Sequence, residues 1–183
     1  MRYVVGVAGP AGGGKTTLVQ RLVAALGDAT AIYMDNYQRF TQEPTRRIAQ
    51  WMERGADFDE FVIEALPEHL ERLKDGREPG PKYLIFETHL GRAHRATGRF
   101  IDLLFWLDTP LDIALARNVK DLIAARQGAA VYGFVESYLA DVRRLRVMQR
   151  ERVAVGADVV LDGAARPEAI TEEVLRAIHA RLP

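Results

Sequence analysis

Gly9-Pro10-Ala11-Gly12-Gly13-Gly14-Lys15-Thr16 meets the spacing G-x-x-x-x-G-K-[ST] at every fixed position, and it joins the apolar run Tyr3 to Ala8 to the helical pattern Thr16 to Leu26. This segment dictates a strand, a tight turn and a helix in succession. Glycines let the backbone curl until successive N–H groups point inward, and the helix N-terminus adds partial positive charge. The expected phosphate-binding set is therefore Gly9, Ala11, Gly12, Gly13, Gly14, Lys15, Thr16 and Thr17. Lys15 reaches the β- and γ-phosphates of a nucleoside triphosphate, and Thr16 offers its hydroxyl to Mg²⁺. A merely structural strand-to-helix connection is the bland alternative; a strand before and a helix after favour the phosphate site.

Four further apolar, β-rich runs follow: Ala29 to Met34, Lys82 to Phe86, Ile101 to Leu107 and Ala157 to Leu161. Each is too continuous to be half-exposed, so all read as buried parallel strands. Helical patterns lie between and after them at Thr45 to Arg54, Asp59 to Lys74, Leu111 to Ala125, Tyr132 to Val153 and Pro167 to Arg181. Strand alternating with helix predicts an α/β fold with a doubly wound sheet of about five parallel strands. The length of 183 residues, 48% of them hydrophobic, suits one domain over 1–183. The turn at Gln127-Gly128-Ala129-Ala130 is a hinge suited to a mobile helical cover.

Composition excludes some chemistry. The chain has no cysteine, which removes disulfides and zinc–thiolate sites and suits a reducing compartment, with cytoplasm expected. The apolar stretch near the N-terminus is too short for a signal h-region or a membrane span. Lys plus Arg and Asp plus Glu both count 25, so no global field favours nucleic acid. A homo-oligomer is compatible with this composition. Arg143, Arg144, Arg146, Arg150 and Arg152 form a local basic patch, which reads mainly as the exposed face of a charged helix paired with Glu136, Asp141 and Glu151.

In a doubly wound sheet, ligands collect beyond the carboxyl ends of the strands. Asp35, which closes the second strand, is the expected base that takes the proton of an attacking hydroxyl; a turn cap is its alternative. Glu87, after the third apolar run, is the expected magnesium or water-orienting group, against an ordinary strand-end acid. Asp108 precedes Thr109-Pro110 and reads as a helix cap. His89, Arg92, His94 and Arg95 crowd the next loop, either as a wall for a polyhydroxyl or anionic acceptor or as a solvated basic loop. His69 and His179 lie within helical patterns and receive no role, and Trp51 and Trp106 read as packing.

Taken together, these motifs resemble the uridine kinase and phosphoribulokinase-like group of P-loop kinases. Gly9 to Thr17 looks like that group's phosphate loop. Asp35-Asn36-Tyr37 is similar to its Asp-x-Tyr element, whose Asp is the catalytic base, and Phe58-Asp59 with Leu70, Leu73, Lys74 and Gly76 is similar to its Phe-Asp helix. Ile85-Phe86-Glu87 resembles its third strand, Leu115-Ala116-Arg117 the start of its lid, Tyr138 with Val142-Arg143 its Tyr preceding Val-Lys or Val-Arg, and Ala157-Asp158 its final strand. The resemblance implies a P-loop NTPase-type sheet with a lid region over about 117–153, ATP and Mg²⁺ as cofactors, Arg117 toward the nucleotide, and Tyr37, Asp59, His89, Arg92, Arg95 and Arg143 toward the acceptor. The chain also departs from that pattern. It reaches Lys82 within six residues of Gly76, where the group places a Tyr-Asp-Phe hairpin and a His-x-Arg that recognise the nucleoside, and Thr88 replaces its glycine. A phosphate-transfer core is kept and the acceptor pocket is rebuilt.

The expected activity is ATP-dependent phosphorylation of a hydroxyl on a small nucleoside- or sugar-like metabolite, with Asp35 as general base. The rival is a regulatory nucleotide-binding ATPase or switch with no acceptor. Asn118-Val119-Lys120-Asp121 is similar to the guanine-reading Asn-Lys-x-Asp, but its lysine is one place late and it falls inside a helical pattern, which argues against a GTP switch.

Overall fold

Residues 1–37, 45–63 and 65–182 are described in the computed structural model. Five parallel strands form one sheet in the order β2-β3-β1-β4-β5, comprising β1 (Tyr3–Ala8), β2 (Ala29–Tyr33), β3 (Tyr83–Thr88), β4 (Leu103–Asp108) and β5 (Val159–Asp162). Helices α1 (Lys15–Leu26), α2 (Thr45–Glu53), α3 (Leu66–Lys74), α4 (Arg95–Gly98), α5 (Leu111–Ala124), α6 (Gly128–Ser137), α7 (Arg143–Val153) and α8 (Pro167–Arg181) surround it. The fold is the doubly wound sheet of five parallel strands expected from the strand–helix alternation.

Strand alternation divides the core in two. Val4, Leu84, Phe86, Leu104 and Trp106 face one layer with Trp51 of α2, Leu70 of α3 and Val153 of α7. Val5, Val7, Ile85 and Phe105 face the other, against Leu18 and Leu22 of α1 and Val174 and Ile178 of α8. Both faces are covered, so each central strand is apolar at consecutive positions. β1, between β3 and β4, delivers the glycine turn to the middle of the carboxyl rim.

Four expectations change. The helix expected over Asp59 to Lys74 is a short 3₁₀ turn at Phe58–Glu60 followed by α3 from Leu66. The Asp57 side chain accepts from Asp59 N–H and closes that turn. Ala65 takes a left-handed φ of 61°, which breaks helical propagation before Pro67. Glu64, inside the expected helix, lies outside the described residues. The single helix expected over Tyr132 to Val153 starts earlier, at Gly128, and contains a π turn at Tyr138–Val142; the break before it falls at Arg126, whose φ is 58°. β3 extends one residue beyond Glu87, to Thr88, because Thr88 pairs with Ala8 of β1. Asp108 does not cap α5: its carboxylate accepts from Arg150 Nε at 2.8 Å and Nη2 at 2.6 Å. No helix of the described residues is long and apolar enough to cross a membrane.

Candidate active site

The glycine turn is built to one shape. Gly12 and Gly14 take φ of 77° and 96°, a region that side chains disfavour. Gly13 N–H donates to Pro10 O at 3.0 Å. From α5, Arg117 Nη1 donates to Gly13 O at 3.3 Å and Asn118 Nδ2 to Ala11 O at 3.2 Å, and Thr109 Oγ1 donates to Gly13 O at 2.9 Å. These donors hold the carbonyls outward. A methyl on Gly12 would stand 2.4 Å from Ala114 O, which is backbone and cannot yield. Gly12→Ala is therefore expected to weaken ATP binding by about tenfold or more, the equivalent of ~1–3 kcal/mol of strain, as titration calorimetry would measure.

Lys15 opens α1 and is 4% exposed, its Nζ donating to Pro10 O at 3.1 Å. Burial depresses its pKa to about 8; the Glu87 and Asp35 carboxylates oppose that fall, and Arg146 adds to it. Thr16 Oγ1 donates to Glu87 Oε1 at 3.0 Å. Glu87 is 8% exposed, and its Oε2 has no hydrogen-bond partner among the described residues. An orphaned carboxylate oxygen beside a helix-first hydroxyl is a hard-oxygen donor pair that fits Mg²⁺. No group of three or more His, Cys, Asp or Glu able to hold a metal occurs among the described residues. The remaining oxygens would come from phosphates and water, as Mg²⁺ ordinarily takes them.

Asp35 sits in the 3₁₀ turn Met34–Asn36 directly after β2 and shares a pocket with Thr16, Glu87 and His89. His89 Nε2 meets Asp35 Oδ1 at 3.1 Å. Burial lowers the His89 pKa, and the Lys15 charge lowers it further, against the pull of Asp35. A neutral His89 with its proton on Nε2 donates to Asp35 and fixes the carboxylate. The backbone of His89 is itself held. Thr88 Oγ1 accepts from Leu90 and Gly91 N–H at 3.1 Å each, and Gln149 Nε2 donates to His89 O at 2.6 Å.

Beyond His89 lies a cavity of about 240 Å³ between α2, the Phe58–Phe61 turn and α7. Trp51, Phe58, Phe61 and Leu145 wall it; Ala11 of the glycine turn, His89, Arg146 and Gln149 also line it. Trp51 is clamped by Phe61 at 4.8 Å between ring centroids, and its indole Nε1 donates to Asp57 O at 2.9 Å. A second groove runs past Gly13, Gly14, Thr17 and Arg117 to Gly163 and Pro167, along the far side of the turn.

The structure thus brings together the glycine turn, Lys15, Thr16, Asp35, Glu87, His89 and Arg117. It does not gather the other acceptor residues. Arg92 is carried to the opposite end of the sheet, where it donates to Asp158, Gly156 O and Ile101 O ahead of β4 and β5. Asp59 and Arg95 bind each other, through Arg95 N–H at 2.8 Å and its guanidinium, and tie the Phe58–Glu60 turn to α4. His94 is buried on Thr97 Oγ1 at 2.8 Å. The Tyr37 hydroxyl lies 2.7 Å from His69 Nδ1, so His69 has a partner that its helical position hid. Arg143 is exposed, and the buried arginine of α7 is Arg146, three residues on. Sequence reasoning passed over Arg146 and Gln149, although Tyr138, Val142, Arg146, Gln149 and Val153 form an inward stripe at helical spacing.

No family model matches the chain. A uridine kinase of Halobacterium salinarum is 24% identical over 193 residues, which span 92% of this chain and 83% of that protein. One of Chloroflexus aggregans is 26% identical over 204 residues, spanning 98% and 95%. Among solved structures, a sugar kinase from Janibacter sp. superposes with a TM-score of 0.56 at 19% identity, covering 98% of this chain and 95% of that one. The chain is similar to uridine kinases over most of its length and has the fold of P-loop kinases. A shikimate kinase from Acinetobacter baumannii, solved in complex with shikimate, shares the fold at a TM-score of 0.55 and 15% identity over 100% of this chain and 96% of that one. The fold is therefore shared with proteins named for different acceptors, so it does not by itself name an acceptor.

Proposed function

We propose that this kinase transfers the γ-phosphoryl group of ATP to a hydroxyl of a small, nucleoside- or sugar-like metabolite in the cytoplasm, with Asp35 as general base. The observation that carries the reading is the Asp35 pocket: one carboxylate, oriented by His89, shares a hollow with the Thr16–Glu87 pair beside the glycine turn. Asp35 takes the hydroxyl proton as the alcohol oxygen bonds to phosphorus and the bond to the β–γ bridging oxygen breaks, releasing ADP. Backbone N–H groups of Gly12 to Thr16 and the Lys15 ammonium balance the charge that spreads over the phosphate oxygens. Thr16 and Glu87 would hold Mg²⁺, which when bound neutralises part of that charge. Arg117, whose Nη1 donates to Gly13 O, is assigned to the nucleotide on this reading. The cavity beyond His89 adjoins this hollow, since that residue lines both.

The test is ADP release from MgATP, alone and with uridine, cytidine, pentoses, hexoses and hydroxylated vitamin precursors. At least one alcohol is expected to stimulate release about tenfold or more, an effect of ~1.4 kcal/mol in the transition state. Release indifferent to every alcohol would favour the regulatory ATPase instead.

A further inference from the structure

Arg146 is the one residue of the cavity whose charge the kinase reading leaves unused. It is 5% exposed, lies with its guanidinium carbon 5.2 Å from the centre of the Tyr138 ring, and has an Nη1 without a hydrogen-bond partner among the described residues. Tyr138 also hydrogen-bonds the guanidinium, but no carboxylate acts on it among the described residues, and a buried cation without an anion is costly, so its retention calls for an anion that arrives from outside. Asp108, which lines the adjoining hollow with Arg146, is already engaged by two nitrogens of Arg150. Arg146 lines neither the groove of Gly13, Gly14, Thr17 and Arg117 nor the hollow of Thr16, Asp35 and Glu87. It lines the aromatic cavity. The ring on which it rests belongs to the π turn, a feature that re-aims side chains and recurs at functional sites. The same cavity is lined by Trp51, Phe58 and Phe61, an apolar aromatic cluster whose rings tilt against one another by 40° to 54°.

We infer that the acceptor, on the reading of this chain as an alcohol kinase, is a flat-ringed molecule carrying a carboxylate, with the ring against Trp51 and Phe61, the carboxylate on Arg146 and the hydroxyl directed past His89 toward Asp35. Guanidinium and carboxylate match in planar geometry, and their charge-assisted hydrogen bonds strengthen in a dry site. An amide of the same shape cannot neutralise the cation. The cavity therefore discriminates by charge as well as by shape.

A matched pair tests this: 4-(hydroxymethyl)benzoate and 4-(hydroxymethyl)benzamide, titrated calorimetrically into the protein with MgADP present. The acid is expected to bind at least about tenfold more tightly than the amide, the lower range for hydrogen bonds to a charged group. Arg146→Gln should erase that preference, and Arg146→Lys should keep part of it. Equal binding of acid and amide by the wild type, no binding of either, or a preference that survives Arg146→Gln each overturns the inference, and the wild-type comparison needs no variant to fold. Loss of MgADP affinity in Arg146→Gln with the acid preference intact would assign Arg146 to the nucleotide and also overturn it. If uridine stimulates ADP release while acid and amide bind alike, the kinase reading stands and only the carboxylate falls. If the acid preference depends on Arg146 but no alcohol stimulates release, the cavity stands and the kinase reading falls.

Discussion

Asp35→Asn is expected to cut phosphoryl transfer at least ~100-fold, the lower range for loss of a general base, while leaving MgATP affinity within about twofold. Asparagine is nearly the same size and can still accept from His89 through its amide oxygen, so the turn after β2 and the 3.1 Å contact are preserved. What it loses is the capacity to take a proton. The two measurements belong together, because Asp35 shares its hollow with Thr16, next to Lys15 at the start of α1. Steady-state ADP release in the presence of a stimulating alcohol reports the transfer, and calorimetric titration with MgATP reports the affinity. Retained turnover would remove Asp35 from the mechanism. Loss of turnover together with loss of nucleotide affinity would instead assign its carboxylate to the cation or the phosphates.

The position of Asp35 and Glu87 in one hollow with Thr16 was legible in the sequence because a parallel sheet leaves few places for chemistry. Once the glycine turn marks the carboxyl end of β1 as the active rim, every parallel strand must present its own end there. The five apolar runs were visible for a similar reason: strands buried on both faces need apolar side chains at consecutive positions. Their ends were less visible. Thr88 belongs to β3 only because β1 continues alongside it, and pairing with a strand some eighty residues away leaves no local trace.

Arg92 shows the limit of reading chemistry from proximity in sequence. It stands five residues after Glu87, yet the 3₁₀ turn at Gly91–Ala93 takes the chain back along the sheet, and Asp158 claims the guanidinium at 2.8 Å. Asp158 in turn accepts Leu104 N–H at 2.7 Å, so this pair fixes how β4 and β5 begin and leaves nothing for a substrate. Tyr37 and His69 are partners across 32 residues, invisible to any local pattern. Arg146 is the opposite case. Counted by composition it was one of five arginines on a charged helix; placed on the stripe of Tyr138, Val142, Gln149 and Val153 it is a cation on an inward face. That conflict between local polarity and burial marks sites where function outweighs stability.

Lys15→Ala is expected to weaken MgATP binding by about ten- to a hundredfold, since charge-assisted hydrogen bonds to phosphate contribute ~1.5–3 kcal/mol, and to lower turnover further because the same ammonium balances charge in the transition state. A pH signature separates this electrostatic role from simple packing. Burial holds the Lys15 pKa at about 8 in the unliganded chain, so the ammonium is present below that pH and lost above it. The charged form is the one that meets phosphate. Wild-type affinity should therefore fall about tenfold between pH 7.5 and pH 9, and binding in that window should take up a proton, seen as a heat that depends on the ionisation enthalpy of the buffer. Lys15→Ala has no such group to protonate, so its residual affinity should be nearly flat over the same range. A wild-type profile as flat as the variant's would mean that the Lys15 amine does not contact the triphosphate, and the glycine turn would then be holding phosphate by its backbone alone.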